Sequence, residues 1–242
     1  MRDAKILLID IELAPAIGYT WGPKWETSII EFTESWYILS IAYKWLGQSK
    51  IHVRALPDYP GYRKHKNNDR ALVMDLYRLL NLADVICAHN GNSFDLRKSN
   101  SRLLFHGFPP PSSYKTIDTL RVARRHFGFN SNKLDDLCNE LKIGRKVPHM
   151  GFNTWRGCME GDPKSWRLLK RYNVHDVRLL EKLYLKVRPW ASEHPKLNVF
   201  GGKCPSCQSD DSKKDGIEYT ASGERQRLKC LGCSKRWVGE KM

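Results

Sequence analysis

Apolar residues follow two rhythms along this chain. Unbroken runs of roughly four to eight, rich in Ile, Leu and Val, predict buried strands, whereas apolar positions three and four apart predict helix faces. Lys5–Leu13 (KILLIDIEL) is a run of the first kind, interrupted only by two carboxylates. Ala14 to Ser35 reads as a loop carrying tryptophan and proline. Tyr37–Leu46 and Lys50–Leu56 predict a hairpin turning at Gly47-Gln48. Asp69–Leu82 places Leu72, Leu76, Leu79 and Leu80 at helical spacing, and Asp84–Ala88 is another buried strand. Phe94–His106 predicts a helix stopped by Gly107 and three prolines. Short helices follow over Ile117–Phe127 and Lys133–Leu141, the second capped by Asn130 or Ser131. Asp162-Pro163 opens a helix that ends at about Val187, before Pro189. Gly201-Gly202 marks a linker. The order predicts an α/β domain built on a mixed sheet flanked by helices over residues 1–195, and a small separate tail over 200–242.

Composition narrows the picture. Hydrophobic residues make up 41% of 242, enough for a real core, which excludes a disordered chain. No apolar run approaches membrane-spanning length, and the segment after Met1 is too short and too acidic for a signal peptide. The expected location is therefore the cytoplasm of a bacterial cell or of a phage-infected host. Lys and Arg number 41 against 26 Asp and Glu, a net charge of +15. Such an excess points to a polyanionic partner, since basic side chains displace counterions condensed on phosphates; a merely soluble basic protein is the alternative.

Seven cysteines divide into two groups. Cys87, Cys138 and Cys158 stand apart in apolar or helical contexts and read as buried thiols. Cys204-Pro-Ser-Cys207 and Cys230-Leu-Gly-Cys233 have the paired-knuckle spacing of a zinc ribbon, closed by four thiolates around one structural Zn²⁺. A reducing compartment favours zinc over two disulfides. Lys229, Lys235, Arg236 and Trp237 surround the second knuckle, which suits either nucleic acid or a protein partner.

The candidate chemistry lies in carboxylates. Asp10 and Glu12, two apart in a strand, share one face, where they repel each other unless a cation or a basic side chain intervenes. Tyr172 and Asp176, four apart in the last long helix, also share a face. Asp95 follows a strand and the segment His89-Asn90-Gly91-Asn92-Ser93-Phe94, where either capping or chemistry fits. In order and spacing, Asp10-Ile11-Glu12, Asn92-Ser93-Phe94-Asp95 and Tyr172-Asn173-Val174-His175-Asp176 resemble the three motifs of the DEDD exonucleases of the RNase H-like (DnaQ-like) superfamily. The likeness runs from about residue 5 to 190 and is nearest the YprB-type members and those carried by phages. The third motif has the tyrosine (DEDDy) form: Arg171 stands where the histidine subclass places His, and His175 is out of position. Leu13 replaces the threonine that often follows the first motif, and the resemblance has it pack beside the terminal base.

That resemblance implies a 3′–5′ exonuclease using two Mg²⁺ or Mn²⁺ ions. Asp10 would bridge both, Glu12 and Asp176 would complete the site of the attacking water, Asp95 would help hold the second metal, and Tyr172 would orient the water. Asn90 is a candidate substrate contact or a turn residue. Asn132 and Lys133 either grip phosphate or cap a helix, and Lys146 and His149 are candidate contacts in the long loop before the last helix. Trp21, Trp25 and Trp36 either stack on bases or pack the loop. DNA is the favoured substrate over RNA. An endonuclease on the same fold, or a binding protein without catalysis, are the rival readings.

Overall fold

The computed structural model describes residues 4–23, 28–145, 151–195, 202–220 and 223–241. Strand β1 (Ile6–Leu13) leads into a small hairpin, β2 (Ile17–Tyr19) and β3 (Glu31–Glu34), then into β4 (Ile38–Trp45) and β5 (His52–Ala55). Helix α1 (Arg70–Leu82), strand β6 (Val85–Ala88), helix α2 (Asp95–Phe105) and strand β7 (Lys115–Asp118) follow. Helices α3 (Thr119–His126), α4 (Leu134–Glu140), α5 (Phe152–Glu160) and α6 (Pro163–Val187) complete the first unit. The sheet runs in the order β5-β4-β1-β6-β7. Strand β1 is antiparallel to β4 and parallel to β6, so the sheet is mixed, as the element order predicts.

Alternation across β1 divides the core in two. Leu7, Ile9 and Ile11 join Leu39, Ile41 and the α1 residues Leu72, Leu76 and Leu80 on one face. Ile6 and Leu8 join Ala42, Val85 and the α6 residues Val177, Leu180 and Tyr184 on the other. Each such side chain, fully buried, contributes about 1.5–3 kcal/mol. The second row continues into Asp10 and Glu12, which therefore also face α6. On the same face Lys44 of β4 reaches Glu181 of α6 at 2.6 Å. Helix α6 itself starts where Asp162 accepts from the N–H groups of Lys164 (3.2 Å) and Ser165 (2.8 Å), with Pro163 at its first position.

A buried ionic clamp joins the other face. Asp69, fully buried at the head of α1, accepts from the Ile38 N–H (2.8 Å), from Nε of Arg102 (2.8 Å) and from His106 (2.6 Å). It thereby ties β4, α1 and α2 together.

Four local expectations change. The Ala14–Ser35 loop contains the β2–β3 hairpin, whose Ile17, Tyr19 and Phe32 are exposed, so no inward-outward alternation betrays it. Ile117–Phe127 is not all helix: β7 runs to Asp118, whose carboxylate then caps α3. The cap of α4 is Lys133 rather than Asn130 or Ser131; the Ser131 hydroxyl bonds Asp136 instead. The stretch before α6 holds helix α5, read above as loop.

The tail is a three-stranded antiparallel sheet, β8 (Ser212–Thr220), β9 (Gly223–Cys230) and β10 (Arg236–Lys241), in the order β10-β9-β8. It sits against the end of α6: Lys235 donates to the Ala191 carbonyl (3.3 Å), and Ser206, Cys207 and Gln208 share a cleft with Leu185 and Arg188.

Candidate active site

Asp10, Glu12 and Asp176 converge. One carboxylate oxygen from each lies within 4.8 Å of the others. Three anions this close repel one another, and a divalent cation offsets that cost. Oxygen-only donors suit hard ions such as Mg²⁺ or Mn²⁺, so the donor set fits a metal of that class. The register of β1 shifts just after Glu12, an irregularity of the kind that re-aims side chains at sheet ends.

Two neighbours that the sequence reading passed over fix the carboxylates. Asn173, buried on α6 between Tyr172 and Asp176, donates through Nδ2 to Asp10 Oδ2 (2.5 Å) and to the Asp10 carbonyl (3.2 Å). Its own Oδ1 accepts from the Ser40 hydroxyl (2.9 Å) on β4. The Trp155 indole N–H of α5 donates to Glu12 Oε2 (3.0 Å), and the Trp155 ring meets Tyr172 nearly edge-on at 5.9 Å. Asn173 had a visible signal, a polar residue inside the third motif and on the buried side of α6. Trp155 had none, being 143 residues from its partner.

Asp95 stands differently. It occupies the first turn of α2, almost fully buried, and its Oδ1 accepts from the Ile11 N–H (3.1 Å), between Asp10 and Glu12 on β1. It is outside the convergent trio among the described residues. Burial, opposed by the Ile11 N–H and reinforced by the charge of Asp118, pushes its carboxyl up to about 7. The approach to Asp95 is held by Asp118, whose carboxylate accepts from the N–H groups of Asn90 (2.9 Å) and Asn92 (3.2 Å) as well as capping α3. Gly91 is required there, because a Cβ would lie 2.4 Å from that of Ala88.

Asp10 and Asp176 line one cleft with His89, Asn90, Asn132, Lys133 and Arg124. Three expected contacts, Asn90, Asn132 and Lys133, thus share the carboxylates' cleft; Arg124, on α3, was not foreseen. Leu13 packs against the core below β1 and is not part of this cleft lining. Lys146 and His149, like Trp25, lie outside the described residues. Trp21 is 91% exposed, so it does not pack the loop, and Trp36 lies under the Lys98 ammonium, 3.9 Å from its ring centre. His175 turns away to the Arg145 carbonyl (2.6 Å).

The four tail cysteines also converge. Their sulfurs lie within 4.8 Å of one another, with Cys204–Cys233 at 3.6 Å and Cys207–Cys230 at 3.5 Å. Ligands at about 2.3 Å in a tetrahedron would stand about 3.8 Å apart, so the cluster is compatible with a zinc ribbon. Burial opposes ionisation of Cys230, but the Cys233 N–H and the neighbouring thiols outweigh it and hold Cys230 at about 7. All seven cysteines are free of disulfides, and Cys87, Cys138 and Cys158 are buried as expected.

A mixed five-stranded sheet presenting acidic residues to a long helix defines a class of fold rather than one protein. The RNase H superfamily model matches residues 37–188, well over half of the chain, and the chain belongs to that superfamily. The matched stretch contains Asp95, Tyr172 and Asp176 and begins after Asp10 and Glu12. Among solved structures, the family B DNA polymerase of the hyperthermophilic archaeon Pyrobaculum calidifontis is similar, with a TM-score of 0.55 and 16% identity. The likeness is one of fold. It covers 79% of this chain and 26% of the polymerase, so the chain spans about a quarter of that protein's length. No curated protein matches the sequence. The superfamily and the carboxylate cluster together support nuclease activity on nucleic acid. No described helix is long and apolar enough to cross a membrane.

Proposed function

We propose that the chain is a metal-dependent 3′–5′ exonuclease of the DEDDy type, akin to YprB-type and phage-carried nucleases. Residues 1–195 would form its catalytic domain and residues 200–242 a ribbon folded around one structural Zn²⁺. The observation that carries this reading is the meeting of Asp10, Glu12 and Asp176, two of which, Asp10 and Asp176, line a cleft together with Arg124 and Lys133. DNA is the favoured substrate, in keeping with the similarity to a DNA polymerase.

Two bound Mg²⁺ or Mn²⁺ ions would supply a hydroxide from water and relieve charge on the leaving oxygen. The rest of the work belongs to the chain. Asp10, Glu12 and Asp176 provide the oxygen donors, with Asp95 as the fourth carboxylate of the set. Asn173 and Trp155 hold Asp10 and Glu12 in fixed rotamers, so little reorganisation is needed when substrate arrives. Tyr172 orients the attacking water through its hydroxyl, while deprotonation of that water is the chemistry the metals would supply. Water adds at phosphorus, the P–O3′ bond breaks, and a nucleoside 5′-monophosphate leaves. Arg124, Lys133, Asn90 and Asn132, which share the cleft, bind the scissile strand.

The test is digestion of end-labelled DNA and RNA, linear and circular, with Mg²⁺ or Mn²⁺. Stepwise release of mononucleotides from the 3′ end is expected, with circular substrate untouched. Asp10→Ala should abolish cleavage and leave binding largely intact, while Tyr172→Phe slows it without removing it. Cutting of circles would turn the reading to an endonuclease. Binding without any metal-dependent cleavage would reduce the chain to a nucleic-acid-binding protein.

A further inference from the structure

We infer that one face of the ribbon sheet is a second phosphate grip, engaging the nucleic-acid backbone well away from the carboxylate cleft. This rests on the chain acting on nucleic acid, as proposed above.

Lys213 of β8 pairs with Lys229 of β9, and Lys229 pairs in turn with Arg236 of β10. Residues directly opposite in antiparallel strands share a face, so three cations stand abreast on adjacent strands. The row spans about 10 Å, two strand spacings. Two residues along β9, Arg227 adds a fourth cation on the same side. Like charges directly opposite destabilise a sheet, so a face meeting only water has no reason to hold such a row. Asp215 is the carboxylate bonded into it, to Arg236 Nε (2.5 Å), with Arg227 at 3.8 Å. Lys213 and Arg236 are exposed, Lys229 half so. The reverse face carries Leu228 opposite both Lys214 and Trp237 and is far less charged. The alternation therefore segregates cations to one side, which is the electrostatic footprint of a polyanion.

Position adds the second point. The ribbon meets α6 near Leu185 and Arg188, whereas Asp176 lies in the cleft. Arg188 stands twelve positions after Asp176, just past the helix end, roughly 18 Å along the axis. A strand with one phosphate per about 3.4 Å of duplex needs several nucleotides to bridge that interval. Short oligonucleotides reach the cleft alone; longer ones reach both.

The experiment measures binding, not cleavage, in the Asp10→Ala protein by fluorescence anisotropy with labelled single strands of about 4 and about 24 nucleotides across a salt series. Adding Lys213→Ala, Lys229→Ala and Arg236→Ala should weaken the long strand at least roughly tenfold and leave the short one unchanged. The slope of log affinity against log salt should fall by about 2, three lost phosphate contacts at about 0.7 each. Bound zinc is measured in both proteins. Should the triple variant lose zinc, the pair Lys213→Gln and Lys229→Gln carries the test, with a slope change of about 1.4. An unchanged slope and affinity for the long strand, with zinc retained, overturns the grip and leaves the face to an acidic protein partner. A wild-type protein that binds long strands in this salt-dependent way yet never cleaves would sink the nuclease reading and spare this one.

Discussion

Glu12 commits one carboxylate oxygen to the Trp155 indole, and this sets how the other oxygen is presented. Trp155→Phe keeps a ring against Tyr172 but removes the donor. A hydrogen bond to a charged group is worth about 1.5–3 kcal/mol, so Mn²⁺ binding measured by calorimetry should weaken roughly tenfold. Activity at saturating metal should suffer less. Equal Mn²⁺ affinity in the two proteins would remove Trp155 from any role in orienting Glu12. At this scale the sequence was informative wherever chemistry rides on local period. Asp10 with Glu12, and Tyr172 with Asp176, share faces because strands repeat every two residues and helices every three to four. The inward turn of Asp95 onto the Ile11 N–H was not legible, because capping its own helix was an equally good local solution.

Helix α5 illustrates what periodicity misses. Its buried positions are Thr154, Gly157 and Cys158, small or polar, so no apolar stripe announces a helix. Small residues are what its packing demands: a Cβ on Gly157 would lie 2.2 Å from Ser165 Oγ on α6. Gly157→Val should therefore cost about 1–3 kcal/mol and lower the melting temperature by several degrees. It should also cut cleavage by moving Trp155, and unchanged melting and turnover would contradict the close crossing. Strand β7 was absorbed into a helix for a related reason, since its 4 residues run directly into the Asp118 cap. The long elements β1, β4, α1 and α6 were legible because each buries a full apolar face. Beyond the end of α6, His194 is held neutral: Nδ1 donates to the Pro195 carbonyl (2.8 Å) and Nε2 accepts from the Tyr184 hydroxyl (2.9 Å). Burial lowers its pKa to about 4; the Pro195 carbonyl opposes this, and nearby Arg188 and Lys235 add to it. That value is below the roughly 6.5 of an unfolded chain. Its stabilising contribution is thus complete above about pH 6.5 and declines as pH falls toward 4. Replacing His194 with Phe should flatten this part of the stability curve in denaturant titrations at stepped pH.

At the scale of the molecule, apolar burial is unevenly shared. The five-stranded sheet is sandwiched between two apolar clusters, while the described residues of the ribbon bury only Cys204, Ser206 and Cys230. Stripping metal with a thiol-competent chelator should unfold the ribbon, make four thiols reactive, and leave the melting of the larger sheet nearly intact. Loss of both together would mean that the two units fold as one. The tail was plain in the sequence because metal ligand spacing is a short-range code. Its docking beside α6 was not, since the hydrogen bond there joins a lysine to a backbone carbonyl just past the helix, Lys235 to Ala191, and these carry no address.

Helix α6 is unbroken from Pro163 to Val187, bearing Asp176 midway and the ribbon's seat near its end. A continuous rod has phase as well as length. One residue inserted between Asp176 and the ribbon's seat would swing everything beyond it by about 100° and advance it by about 1.5 Å. Seven inserted residues would nearly restore the azimuth while adding about 10 Å. Reach and heading of the appendage are thus separately adjustable, by counting turns, without touching a single acidic side chain.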